Sequence, residues 1–260
     1  MGTLLLVLLT LITLHEITDQ DLPPAIVVPA VGVATLATVG GLVSSFSDSI
    51  SARLAVPVII FSFCAVGIGL FMAIFLYTLL LRRLLFKGWP AAPQTASLFM
   101  FVGPVGQSGA ALQLLGSAAD TYNRFGGYSK GTFLTRMAAM PLEVMCVLLG
   151  LLLLGLGMVW LIIAFYAMFY RAFRRELTWG IEWNAIIFPV GTLTTSTILF
   201  GIEMDSPFFK VITGILLVFL VLVFFINLAF TVWNVFKGNL LIVRDDPRVK
   251  QQLEEEQKEE

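Results

Sequence analysis

Three short stretches hold the residues whose types and spacing could do chemistry: Pro29-Ala-Val-Gly32, Pro104-Val-Gly106 and Pro189-Val-Gly191. Each proline-glycine step runs into small, hydroxylated or amide residues. These are Thr35 and Thr38 after the first, Gln107 and Ser108 after the second, and Thr192, Thr194 and Thr195 after the third. Proline removes a backbone donor and frees a carbonyl. Inside a membrane the freed group must face protein or a water-filled cavity. A helix broken there also presents N–H groups and a positive dipole end at mid-membrane, where anions bind. The surrounding stretches hold no Asp, Glu, Lys, Arg or His. A carboxylate would repel an anion and a lysine or arginine would hold it, whereas neutral donors let it enter and leave. The chemistry implied is passage of an anion, not catalysis.

Bond-making machinery is missing from the rest of the chain. His15 is the only histidine, and there is no HExxH, GxSxG or P-loop pattern. No cofactor or metal is implied. The two cysteines, Cys64 and Cys146, lie in apolar runs without metal spacing and read as small buried hydrophobes. The one intramembrane acid, Glu143, has two readings, an interhelical hydrogen bond or a proton-coupling site.

These stretches must be positioned by membrane-spanning helices. Of 260 residues, 58% are hydrophobic and 13% are charged. A typical soluble domain carries about 25% charge. That composition excludes an ordinary soluble enzyme, and a net charge of -1 gives no attraction to nucleic acid. Spanning the bilayer takes about 20 apolar residues. Six runs are long enough, near 22–43, 54–81, 96–117, 139–169, 183–202 and 207–234, and a shorter one covers 1–14. The expected fold is therefore an all-α integral membrane bundle, with a membrane domain over 1–236 and a charged tail over 237–260. The bilayer itself is the first partner.

The prolines recur at spacings of 75 and 85 residues, each period being one helical hairpin. A Pro/Gly-broken helix is followed by a smooth Leu/Phe/Val-rich one. The broken helices are expected to form an inner layer around a path and the smooth ones an outer layer facing lipid. A single proline in a membrane helix is an ordinary kink; three at matching places in alternate helices point to a lined pore. Phe188 precedes Pro189 directly and Phe101 precedes Pro104 by three. Either could pack or plug, and Phe188 is the better candidate plug. The aromatic pairs Trp179/Trp183 and Tyr166/Tyr170 read as interface anchors.

Loops on one side carry eleven basic residues, among them Arg82, Arg83, Lys87, Arg171, Arg174 and Arg175, against five on the other. Positive charge marks the cytoplasmic side. The C-terminus is expected inside and residue 1 outside, which suits an odd number of helices upstream of residue 1.

Together these motifs resemble the tellurite-resistance/dicarboxylate transporter family, also called the voltage-dependent anion channel family. Leu22-Pro-Pro-Ala-Ile-Val-Val-Pro-Ala-Val-Gly32 is similar to its fifth helix, Phe101-Val-Gly-Pro-Val-Gly-Gln-Ser-Gly109 to its seventh and Trp183-Asn-Ala-Ile-Ile-Phe-Pro-Val-Gly191 to its ninth. The Gly-Pro-x-Gly-Gln form is more like the fungal sulfite-efflux branch than the malate branch. One departure is Trp183-Asn184, where that branch often has paired tryptophans. The resemblance implies ten helices in five tandem hairpins, with this chain supplying about seven segments and lacking the first three helices. An inner ring short of two helices would stay open unless another chain closed it. The resemblance also implies sulfite efflux across the plasma membrane, with C4-dicarboxylate transport as the alternative substrate class. It makes Phe188 the gate, with Pro29, Gly32, Pro104, Gly106, Gln107, Ser108, Pro189, Gly191, Thr192 and Thr194 along the path, and it implies a homotrimer. The competing readings are a non-functional fragment, or a seven-pass receptor or membrane enzyme. A receptor would need sequons and an extracellular disulfide, and a membrane enzyme would need intramembrane acid or histidine clusters; the sequence has none of these.

Overall fold

The computed structural model describes residues 23–237. The apolar run over 1–14 and the tail beyond Lys237 lie outside the described residues. Among those residues, six helical spans are long and apolar enough to cross a membrane. Their α-helical parts are α1 (Val28–Phe46), α2 (Ala52–Lys87), α3 (Val102–Asp120), α4 (Arg136–Phe173), α5 (Ile187–Glu203) and α6 (Pro207–Phe236). Their bounds fall within a few residues of the apolar runs, because a helix is the form that satisfies its own backbone in lipid.

The helices form three tandem hairpins, α1–α2, α3–α4 and α5–α6. Helix α3 sits at the centre, packed against α1 on one side, α5 on the other and α4 behind, with a smaller contact to α2. Helix α2 backs α1, and α6 backs α5. The spans containing α1, α3 and α5 are 44%, 94% and 56% buried, against 33%, 33% and 17% for those containing α2, α4 and α6. The two-layer expectation is met: the three helices that carry the Pro-Gly step are inner and their partners outer, although α2 and α4 also hold a proline each, Pro57 and Pro141.

The inner helices run parallel. On α3, Gly103, Gly106 and Gly109 meet Pro189, Thr192 and Ser196 of α5 in the same order. These close crossings depend on glycine. A Cβ on Gly106 would sit 2.6 Å from the Thr192 hydroxyl and 2.9 Å from the backbone nitrogen of Leu193. A Cβ on Gly41 would sit 2.8 Å from that of Leu114, where α1 crosses α3. Small residues let backbones approach where lipid offers no hydrophobic drive to pack.

The prolines do not interrupt their helices. Short 3-10 runs, Pro24–Val27, Ala92–Phe101 and Ile181–Ile186, lead without a gap into α1, α3 and α5. Pro29, Pro104 and Pro189 are the second or third residues of the α-helical parts, in the first turn, where a missing N–H costs least. The change of helix type takes the place of the expected break. The N–H that opens each α segment is already used: Val28 donates to Ala25, Val102 to Phe99 and Ile187 to Asn184. The expected half-helix donors at mid-membrane are therefore not free at these positions.

Two further expectations change. Cys146 is buried, but Cys64 is exposed on the outer face of α2, because that long helix turns much of its surface outward. Phe101 is no candidate plug. It is 1% exposed and packs into an aromatic knot with Trp160 (ring centroids 4.7 Å apart) and Tyr77, whose hydroxyl donates to the Phe101 carbonyl at 2.6 Å.

Candidate functional site

The three 3-10-to-α junctions converge on one pocket. It lies between α1 and α5, near the start of α3, and has a volume of about 340 Å³. Its walls are Val28, Val31, Gly32 and Thr35 of α1, Met100 before α3, and Ala185, Phe188 and Pro189 at the start of α5. None of these residues ionises. A Cβ on Gly103 would lie 3.3 Å from Val31 and 3.7 Å from Pro189, so this glycine lets α3 pack close between α1 and α5 beside the pocket.

Exposed stripes run along the two helices that flank the pocket, on either side of the groove between α1 and α5. On α5 the stripe is Phe188, Thr195, Ile198 and Ile202, and on α1 it is Val28, Gly32, Leu36, Val39 and Val43. The steps are three, four or seven residues, which keep each stripe on one face of its helix. Phe188 is 51% exposed and stands at one end of the α5 stripe against the pocket.

Of the residues singled out from the sequence, the structure brings Gly32, Phe188 and Pro189 together at the pocket. Pro29 is half-buried beside it and Pro104 is buried. Most of the others sit between helices. Gly106 and Thr192 form the α3–α5 crossing, with the Thr192 hydroxyl donating to Pro189 at 2.7 Å and to Gly103 at 3.4 Å. The Gln107 amide donates to the Thr38 hydroxyl at 2.9 Å and ties α3 to α1. Gly191 faces Leu220 of α6. The Ser108 hydroxyl is buried with no hydrogen-bond partner among the described residues. Glu143 lies away from the pocket, with its backbone packed against Gly116 of α3.

The hydroxyls of the candidate threonines are internally bonded, and of these only Thr35 lines the pocket. Thr35, Thr194 and Thr195 each reach the carbonyl four residues back, at 2.9, 2.8 and 3.0 Å. Such back-bonding is the usual resting arrangement of threonine in a helix. An anion would engage these protons by rotating the hydroxyl, an exchange of one neutral acceptor for a charged one.

Sequence reading named Thr35 among the hydroxylated residues after Gly32 but did not put it on the path, and it missed Val28, Val31, Met100, Ala185 and Gly103. Gly103 could have been found, since it directly precedes Pro104. The aliphatic walls carry no signal that separates them from ordinary core.

A family profile described as voltage-dependent anion channel matches residues 1–232. The chain is 28% identical to the sulfite efflux pump SSU1 of Trichophyton rubrum over 202 residues, covering 78% of this chain and 51% of that protein. It is also 28% identical over 205 residues to the sulfite efflux pump SSU1 of Arthroderma benhamiae, with the same shares covered. The chain thus spans about half the length of the curated relatives it matches. No solved structure matches it significantly. The profile covers nearly the whole chain, and the paired inner and outer helices agree with the fold that the resemblance implied: the chain belongs to the voltage-dependent anion channel family.

Proposed function

We propose that this chain contributes a pathway by which sulfite leaves the cell across the plasma membrane, with Phe188 as its gate. The observation that carries the reading is the pocket at the three proline junctions, walled without an ionisable residue and fronted by Phe188. A small anion can cross such a wall without being trapped or repelled. Direction follows from charge. Helices α1, α3 and α5 run parallel, so their dipoles add, with the positive ends on the side of Ala92 and Ile181. That side also carries Arg82, Arg83, Lys87 and Arg171, and the excess of basic residues there supports a cytoplasmic assignment. Anions would gather at the inner mouth. With the interior negative, export of each negative charge gains about 2.3 kcal/mol per 100 mV, so no coupled ion is needed. The groove is open between α1 and α5, and closure by further helices or by copies in a homotrimer belongs to the same reading.

Sulfite tolerance and sulfite release in a sensitive fungal host test it. The chain would be expressed alone, and together with the part of the Trichophyton rubrum relative that it does not match, each with and without Phe188→Ala. Protection and release that rise with Phe188→Ala are expected. Malate flux without sulfite release would overturn the substrate assignment. Absence of any anion flux in all forms would overturn transport by this chain.

A further inference from the structure

We infer that Asn227, on the lipid-facing helix α6, is a positioning residue that fixes the chain path leading into Phe188. The inference rests on the reading of Phe188 as the gate. Helix α6 belongs to the least buried of the six spans, yet Asn227 within it is 1% exposed. An amide buried within a bilayer is costly unless both of its ends are paired. Both are. Its Oδ1 accepts from the Trp179 indole N–H at 3.3 Å, and its Nδ2 donates to the Trp183 carbonyl at 2.9 Å. Both partners lie in the connection between α4 and α5, so one side chain of the outer layer clamps the lead-in to an inner helix.

The clamp is rigid on each side. Trp179 is stacked on Phe230, with ring centroids 5.7 Å apart and planes at 17°. Phe230 lies three residues beyond Asn227, on the same face of α6. Trp183 belongs to the 3-10 run Ile181–Ile186, which passes without a gap into Ile187 and Phe188. The ring of Phe188 projects into the pocket half-exposed, so contacts around it do little to hold it. Its position is set from behind, by the anchored turn. A second α5–α6 tie, from the Thr213 hydroxyl to that of Thr197 at 2.9 Å, lies further along the hairpin and adjoins no part of the pocket. The two ties therefore separate local positioning from general cohesion of the hairpin.

The test uses the full chain purified in nanodiscs, with Cys64→Ala and Phe188→Cys introduced; Cys146 is buried. The rate at which a small methanethiosulfonate reagent modifies residue 188 is measured. Asn227→Leu, which removes both hydrogen bonds, should raise it roughly five- to a hundredfold. Trp179→Phe keeps the stack on Phe230 and removes only the indole donor, so it should raise the rate by a smaller factor and still decides the matter if Asn227→Leu does not fold. Adding Trp179→Phe to Asn227→Leu should give no further increase. Thr213→Val should lower thermal stability without moving the rate. An unchanged rate in the Asn227 and Trp179 variants, or an equal rise with Thr213→Val, overturns the inference. Sulfite flux indifferent to Phe188→Ala would remove the gate while the labelling rates still decide the clamp.

Discussion

The central and outermost helices of this bundle are opposites. In the span of α3, 94% of the membrane-spanning window is buried; in that of α6, 17%. In a soluble protein the buried helix would be the more apolar. Here it is the less apolar, carrying Gly103, Gly106, Gln107, Ser108, Gly109 and Gln113, while α6 is dominated by Leu, Val and Phe. Lipid tails are as apolar as leucine, so transfer from lipid to protein favours no large aliphatic side chain. Close packing and hydrogen bonding decide instead, and both favour glycine, alanine, serine and glutamine. Burial in this protein reports contact geometry, and hydrophobicity reports contact with lipid.

The comparison is broken most severely at the α3–α5 crossing. Gly106→Leu would drive a side chain into the backbone of α5, which cannot give way as a side chain does, so its cost exceeds the ~1–3 kcal/mol typical of overpacking and is enough to prevent the crossing from forming. The expected result is loss of the folded peak in detergent size-exclusion chromatography. The matched change on α6, Gly214→Ala, meets no neighbour within 4 Å and should leave that peak intact, with a small gain in melting temperature from helix propensity.

Truncating aromatics comes next. Phe101→Ala would open a cavity in the knot with Trp160 and Tyr77, at about 3–5 kcal/mol. Phe225→Ala on α6, where the ring is 61% exposed, should change melting little, because lipid fills the space. Equal losses in the two variants would contradict the lipid-facing assignment of α6.

A smaller effect is expected for Gln107→Leu, which removes the amide bonded to Thr38 between α3 and α1. Leaving that hydroxyl less well paired costs about 1–3 kcal/mol. Thr38→Val added to Gln107→Leu should recover part of the loss in a double-mutant melt, sharpening the view that polar pairs hold the inner layer.

The smallest effect lies in the connection between α5 and α6. There the Lys210 ammonium, hydrogen-bonded to Asp205, holds that carboxyl below its ordinary value. A depressed folded-state value stabilises the protein above the unfolded carboxylate range, about pH 3.9. That contribution is lost as pH falls through the folded value. A slight drop in melting temperature below pH 4 that disappears in Lys210→Met is expected, and the pair is exposed enough for salt to reduce it.

Much of this was written in the sequence. Apolar run lengths placed the six spans, since backbone satisfaction in lipid leaves few alternatives. The alternation of the Pro-Gly steps at Pro29, Pro104 and Pro189 with Leu/Phe/Val-rich helices identified the inner layer, because glycine beside small and polar residues permits close helix crossings; proline alone did not, since Pro57 and Pro141 are exposed on outer helices. Side-chain direction was not legible. Phe101 and Phe188 look alike beside their prolines, yet one packs into an aromatic knot and the other fronts the pocket. That difference depends on which neighbour covers each face, as does the outward turn of Cys64. The Asn227 clamp joins residues 44 and 48 positions apart, and no local pattern marks it.

The ten-residue 3-10 run Ala92–Phe101 has one more consequence. Runs beyond three or four residues are uncommon, and each residue rises about 2.0 Å rather than 1.5 Å. Rewinding this stretch to α geometry would shorten the central span by about 5 Å, near the pitch of one α turn. Thr95, Ala96, Ser97, Leu98 and Phe99 are all buried, so the surrounding helices hold this extended pitch in place and with it the depth at which α3 begins.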